Sequence, residues 1–199
     1  MNKRILIISF LSLMSVGGAH ADECRDRLVA LVGNSTNVQP SKGHIITEPA
    51  NGPKMENEFF VLSASHMLFK PIDPPNLPWT LTYIDAAYTS PDEGQTWNVA
   101  YTFDPETQAE ASRNYVETLA NSAINVQCGT DEIDGVTYDV LEADMSTTGG
   151  EIDTHSKYWV DPANEFVVRA ETLSQLGGMD TRFTQTWEPV EGLELPVPE

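Results

Sequence analysis

From about Gly43 onward the chain alternates large apolar and small or polar residues with a period of two, segment after segment, and turn residues separate the segments. That pattern is what a half-buried β-strand requires, because successive side chains point to opposite faces. Trp97, Val99, Tyr101 and Phe103 alternate with Thr96, Asn98, Ala100 and Thr102, and Trp79, Leu81 and Tyr83 alternate with Thr80 and Thr82. Glu58 to Phe69 reads as one longer strand with two rather apolar sides. Pro71, Pro74, Pro75 and Pro78 then break the chain into a rigid loop, since proline withdraws a ladder donor. Further strands are expected over Gly135 to Met145, His155 to Val160, Phe166 to Leu173 and Met179 to Trp187, with turns at Gly149-Gly150, Asp161-Pro162 and Gly177-Gly178. One helix precedes this series and another interrupts it. Glu23 to Val32 offers Leu28, Val29, Leu31 and Val32 for burial and stops at Gly33-Asn34. Asp104 can cap a second helix, Pro105 suits its first turn, and Tyr115, Val116 and Leu119 supply its buried side. Consecutive strands with short turns predict an α+β fold: an antiparallel meander with helices on one side.

The first 21 residues read as a secretory signal: Lys3 and Arg4, an apolar run over Ile5 to Val16, then Ala19-His20-Ala21 before Asp22. The run is too short to span about 30 Å of hydrocarbon, so no integral membrane segment is expected. Lipid anchoring would need a cysteine at the first mature position, where Asp22 stands. The mature chain, residues 22–199, is then 178 residues in one domain, and it is periplasmic or alternatively secreted. Loss of Lys3 and Arg4 leaves nine basic residues against 30 acidic ones, a net charge of −21. Such a surface repels phosphate backbones, so no nucleic-acid role is expected. Cys24 and Cys128 are the only cysteines, and in an oxidising compartment they are expected to form one disulfide.

Little in the chain points to catalysis. His44, His66 and His155 lie far apart, outside any metal-ligand or triad spacing, and no phosphate loop or nucleophile elbow is present. No catalytic residue, metal or cofactor is assigned. Asp131, Glu132 and Asp134 form the densest acidic loop. The alternation of an EF-hand is missing there, and the loop reads as a solvated turn, with a bound cation as the alternative. Ser90, Asp92, Gly94, Thr96 and Trp97 match the Asp-box pattern Ser-x-Asp-x-Gly-x-Thr-Trp at every defined position. Asp-boxes recur in sialidase-type propellers. One copy in 178 residues cannot mark six blades, so the motif is read as a hairpin.

Several segments are similar to a known family. Lys157-Tyr158-Trp159-Val160-Asp161-Pro162 with Phe166-Val167-Val168-Arg169-Ala170-Glu171 resembles the W-[IV]-D-P … R-x-E hairpin of the periplasmic lipoprotein-carrier (LolA-like) superfamily. Ile133-Asp134-Gly135-Val136-Thr137-Tyr138, the hairpin ending in Trp97 and the closing Leu193-Glu194-Leu195-Pro196-Val197-Pro198 resemble further segments of it, in order, over about residues 56 to 198. Asn164-Glu165-Phe166 replaces the usual Gly-Leu-Pro turn, and the proline-rich stretch at 71–78 is atypical.

What the resemblance implies is a curved antiparallel sheet forming an unclosed (half) β-barrel, with helices covering its concave side, an apolar cavity and no cofactor. The expected role is a carrier or binding protein for a lipid, acyl chain or other apolar ligand, free or on a lipidated protein. The residues expected to line that cavity are Phe60, Leu62, Trp79, Leu81, Tyr83, Trp97, Val99, Tyr101 and Phe183. The alternatives are a filled core behind a cell-envelope sensor or protein-interaction module, and a glycan-directed hydrolase with paired carboxylates. The first expectation to check is processing: intact mass of the exported protein should place its first residue at Asp22, and recovery of the full chain in the membrane fraction would refute the signal assignment.

Overall fold

A computed structural model describes residues 17–33, 39–147, 152–176 and 179–198. Helix α1, Gly17–Gly33, starts earlier than the 23–32 expected from the sequence. Its Cys24, Leu28, Leu31 and Val32 fall three and four apart, so they share one stripe. Leu28 is wholly buried. Helix α2, Pro105–Asn121, begins where the sequence placed it: the Asp104 carboxylate accepts the Thr107 amide N–H at 2.7 Å and Pro105 occupies the first turn. That capping bond also holds the Asp104 carboxyl below its ordinary pKa.

Eleven strands complete the chain: β1 Ser41–Pro49, β2 Met55–Ser63, β3 His66–Asp73, β4 Trp79–Tyr83, β5 Ala86–Ser90, β6 Asn98–Thr102, β7 Ile124–Ile133, β8 Val136–Ser146, β9 Ile152–Asp161, β10 Phe166–Leu176 and β11 Met179–Pro189. The stretch read as one strand from Glu58 to Phe69 is a hairpin, folded at Ala64-Ser65 between two polar side chains, Ser63 and His66. The proline loop is shorter than expected, because β3 continues through Pro71 to Asp73. It does so beside an irregularity in the β2–β3 register between Glu56 and Asn57, the kind of site that tolerates a missing donor. Strands β5 and β7 were not expected.

The strands form one antiparallel sheet in the order β6-β5-β4-β3-β2-β1-β11-β10-β9-β8-β7. Two meanders meet where the first strand pairs with the last, from Ser41↔Pro189 to Pro49↔Thr181. The outermost strands, β6 and β7, do not pair with each other, so the sheet is an unclosed half-barrel. Helix α2 joins these two edges, and its 17 residues reach about 25 Å at about 1.5 Å each.

The two faces differ sharply. On the face against α1, which we call the inner face, Leu28 and Cys24 pack with Ala123, Leu141, Ala143, Met145 and Val160. The Cys24–Cys128 disulfide, spanning 104 residues, ties α1 to β7 as expected from the cysteine count. Arg25 donates to the Ala123 carbonyl, and Arg27 pairs with Asp139 at 2.8 Å and Glu165 at 3.0 Å. Helical packing is therefore confined to the β7–β10 side of the inner face. Following the register outward from Leu141 through Tyr158, Ala170 and Gln185 carries that same face on to β11 and β1. Every lysine and arginine within the strands, Lys42, Lys70, Lys157, Arg169 and Arg182, lies on the opposite, outer face.

Truncating Leu28 to Ala should leave a cavity in the α1 core and lower unfolding stability by about 2–5 kcal/mol. Val99→Ala, at a side chain 59 % exposed on the edge strand β6, should stay within about 0.5 kcal/mol. Urea denaturation of the oxidised protein checks both; equal losses would contradict this placement of the core.

Candidate functional site

The inner positions of β1, β2, β4, β5, β9, β10 and β11 carry no charged side chain. At their centre the register aligns Trp187, Gly43, Phe59 and Phe69 across four strands. The Phe59 ring meets Phe69 edge-on at 5.5 Å and Trp187 at 6.1 Å, in the T-shaped geometry aromatic pairs favour. Gly43 is required here, since a Cβ at that position would sit 2.6 Å from the Trp187 ring. Ile45, Val61, Met67 and Phe183 extend the apolar surface on the same face. All of these side chains are half-buried, whereas the core under α1 is sealed.

Beside this aromatic zone, towards β9 and β10, the inner face turns to hydroxyls. Ser156 and Thr172 share a hydrogen bond of 3.1 Å, and Thr154 donates to the Met145 carbonyl at 3.2 Å. The Tyr158 phenol is raised above its ordinary pKa by burial. Ser41, at the start of β1, is 1 % exposed and its hydroxyl meets no partner. The inner face therefore offers rings, aliphatic chains and neutral hydrogen-bonding groups. Chemically this part of the face can bind apolar and neutral hydrogen-bonding groups; the inner-face carboxylate of Asp139 lies on β8 under α1, paired with Arg27.

The register divides the residues expected to line a cavity. Phe183 and Tyr101 lie on the inner face, paired with Thr47 and Ala87. Phe60, Leu81 and Val99 lie on the outer face, in line with Leu68 and Tyr88. There Lys70 sits 4.7 Å above the Phe60 ring and 4.3 Å above Trp79. Tyr83 faces the outer His66 ring at 4.9 Å. Leu62 stands in an irregularity between Val61 and Ser63, and Trp97 lies just before β6. The inner Phe59, Phe69 and Trp187 were not singled out. Phe59 and Phe60 are adjacent, and period alone cannot say which of two neighbouring rings points inward. The register separates them: Phe60 lies beneath Lys42 and Lys70 and in line with the buried Leu68 and Leu81, whereas Phe59 lies among the inner rings.

The Asp-box residues build a tight hairpin between β5 and β6. Asp92 accepts from the Ser90 hydroxyl at 2.8 Å, the Thr96 amide at 2.8 Å and the Thr96 hydroxyl at 2.7 Å, and Ser90 accepts the Gly94 amide at 2.7 Å. The bonds from Thr96 chiefly hold the Asp92 carboxyl down at about 2. Gly94 takes a φ of +88° with the Trp79 and Trp97 rings against it. Every acceptor of this motif is engaged within its own turn.

One titratable cluster stands apart, on the outer face. His155 faces Asp144 through Nδ1 at 2.7 Å and Glu142 through Nε2 at 3.0 Å, and Asp144 also accepts from Asn125 at 2.7 Å. It borders a cavity of about 560 Å³ at the ends of β8 to β11. The residues read from the sequence as an acidic loop are not one: Asp131 and Glu132 lie in β7, paired with Tyr138 and Thr137, and only Asp134 stands in the β7–β8 turn. Asp131 accepts from Lys157 at 3.2 Å and from the Trp159 indole at 3.1 Å. Among the described residues no group of three histidine, cysteine or acidic side chains is arranged to hold a metal ion.

No family model matches the chain, and no curated protein does. Solved structures are similar at low identity. A LolA superfamily protein from Nitrosomonas europaea is 9 % identical with a TM-score of 0.44, over 88 % of this chain and 94 % of that one. The likeness is distant. MucB, solved in complex with MucA, is 12 % identical with a TM-score of 0.48, over 90 % of this chain; the alignment spans only 59 % of MucB. An outer membrane lipoprotein-sorting protein domain from Vibrio parahaemolyticus is 9 % identical with a TM-score of 0.37, over 87 % of this chain and 95 % of that one.

The hydrogen bond to Asp144, with the charges of Glu142 and Asp144, raises His155 above its ordinary 6.5 despite partial burial. A raised histidine stabilises the fold fully below the unfolded value and loses that contribution as pH rises through the folded one. His155→Gln should therefore lower the urea midpoint more at pH 6 than at pH 8. A mutant effect independent of pH would show that the imidazolium contributes nothing.

Proposed function

We propose that the protein is a periplasmic carrier or binding protein that holds an apolar group, free or attached to a lipidated partner, against the inner face of the half-barrel. One observation carries the reading: a cluster of rings around Phe59, on an uncharged stretch of the inner face, lies half-buried on the side of the sheet that the helices leave to itself. Sealing a large apolar side chain from water is worth about 1.5–3 kcal/mol. A ligand that covers Phe59, Phe69, Phe183 and Trp187 gains, on binding, the part of that free energy their half-burial leaves unrealised. Export through the N-terminal signal and the oxidised cysteine pair fit the same compartment.

A second reading has its own observation. On the free edges of the sheet Val99, Tyr101 and Ile124 are all more than half exposed, and an unpaired edge can accept a strand from another chain. This supports an envelope protein partner, and it does not compete for the inner face.

Adjacent residues make the test internal. An uncharged dye that fluoresces in apolar surroundings, N-phenyl-1-naphthylamine, should bind saturably. Phe59→Asp puts a carboxylate among the inner rings and should weaken binding at least ten-fold. Phe60→Asp, one residue away beside Lys42 and Lys70, should leave binding unchanged. Absence of saturable binding by the wild-type protein, or equal losses in both variants, would overturn the proposal.

A further inference from the structure

The segregation of charge says more than that something apolar is held. We infer that the inner face selects amphiphiles by the charge of their polar end, accepting uncharged or cationic ends and refusing anionic ones. This rests on the proposed ligand site and narrows its ligand class.

The argument is an inventory of cations. Beyond the signal the chain has nine lysines and arginines, and all nine fall within the described residues. Five are in strands, and the register places each of them on the outer face. Lys42 pairs with Glu58 at 2.7 Å, Lys157 with Asp131 at 3.2 Å and Arg169 with Glu171 at 2.5 Å, while Lys70 stacks on two rings. Lys54, in the β1–β2 turn, pairs with Glu56 at 2.5 Å. In α1, Arg25 is bound to the Asn121 and Ala123 carbonyls, and Arg27 to Asp139 and Glu165. The remaining two, Arg113 on α2 and outer-face Arg182, are exposed to solvent. No cation on the strands that carry the ring cluster is left to meet an anionic group there; Arg113 lies on α2, on the helical stripe of Val116 and Ala120, and not on those strands.

An ionised carboxylate or phosphate drawn onto that face would lose water and find only hydroxyls, a cost of several kcal/mol without a counter-charge. An anionic end kept in solvent at the rim instead meets the field of a chain with net charge −19, or −21 once the signal is removed. A neutral end finds hydrogen bonds at the hydroxyl zone of β9 and β10, and a cationic end left at the rim is attracted by the same field. Burial on the face is costly for either charge, but at the rim only an anion is also repelled, so the two terms combine against anions alone.

The experiment compares three ligands with the same twelve-carbon chain as competitors of N-phenyl-1-naphthylamine: N-dodecanoyl ethanolamide, dodecyltrimethylammonium and dodecanoate, each below its micelle concentration. The first two should displace the dye at concentrations at least ten-fold lower than dodecanoate. The gap should narrow as ionic strength rises from 0.01 M to 1 M, which cuts the Debye length from about 30 Å to about 3 Å. A cation installed on the inner face by Gln185→Lys should recover dodecanoate without changing the ethanolamide. Dodecanoate displacing as well as the others would overturn the inference and leave the apolar site standing. If the dye itself fails to bind, the site and the inference fall together.

Discussion

The pairing of the first strand with the last holds the rest of the structure in place. β1 and β11 lie some 140 residues apart and share nine register pairs, whereas the other strand pairs follow one another along the chain. Without this ladder the molecule is two separate meanders, each with a bare edge where the other should be. The register is fixed by shape. Trp187 lies flat over Gly43, where no side chain could stand, and leans on Phe59 beyond it. A slip by one residue would exchange the faces along the whole ladder. It would carry Trp187 to the outer side and bring Lys42 and Glu188 in. The central pairing thus decides both that there is one sheet and that its charges end up on one side.

That separation of faces has little to do with stability. The outer ion pairs are exposed or half-exposed, and such pairs contribute about 0–1 kcal/mol each. Their effect is on which arrangements are excluded. A strand with lysine and glutamate on one face and threonine or phenylalanine on the other cannot be turned over without burying charge. The cross-strand contacts Lys42–Glu58 and His44–Glu56 then add preference for the native neighbour. Charge in this protein is chiefly a device for choosing the inner surface.

Much of this was legible in the sequence, and the failures share a cause. The Asp104-Pro105 helix start, the strand positions after Gly135 and the disulfide follow from local chemistry or from simple counting, the half-barrel class was implied by the resemblance of the strand motifs, and the structure has them. What could not be read was non-local. Nothing near Ser41 announces that its strand will pair with Pro189. Thr96 to Phe103 has the cleanest alternation in the chain, which predicts a strand with one buried apolar side. The structure places its core, Asn98–Thr102, at a sheet edge, where Tyr101 is 63 % exposed. Alternation reports that a strand has two unlike faces; it does not report whether anything covers the greasy one. The double aromatic Phe59-Phe60 is the same ambiguity within one dipeptide. It is resolved only by which neighbours, ring or lysine, the register brings alongside.

The helices explain why the inner face is half sealed. α1 is fastened at several points: to β7 by the disulfide, to the start of β7 by Arg25, and to β8 and the β9–β10 turn by Arg27. All of these lie at one end of the sheet, so the core beneath α1 closes there. α2 leaves that end to reach the far edge strand, and only Val116, Leu119 and Ala120 among its later turns are drawn inward. The chain has therefore committed its helices to one side while placing its ring cluster on the other. A sequence selected for stability alone would cover the rings or replace them with threonine, as on the neighbouring strand β4. Keeping Phe59, Phe69, Phe183 and Trp187 together on an uncharged stretch of the inner face is intelligible if something else completes their burial.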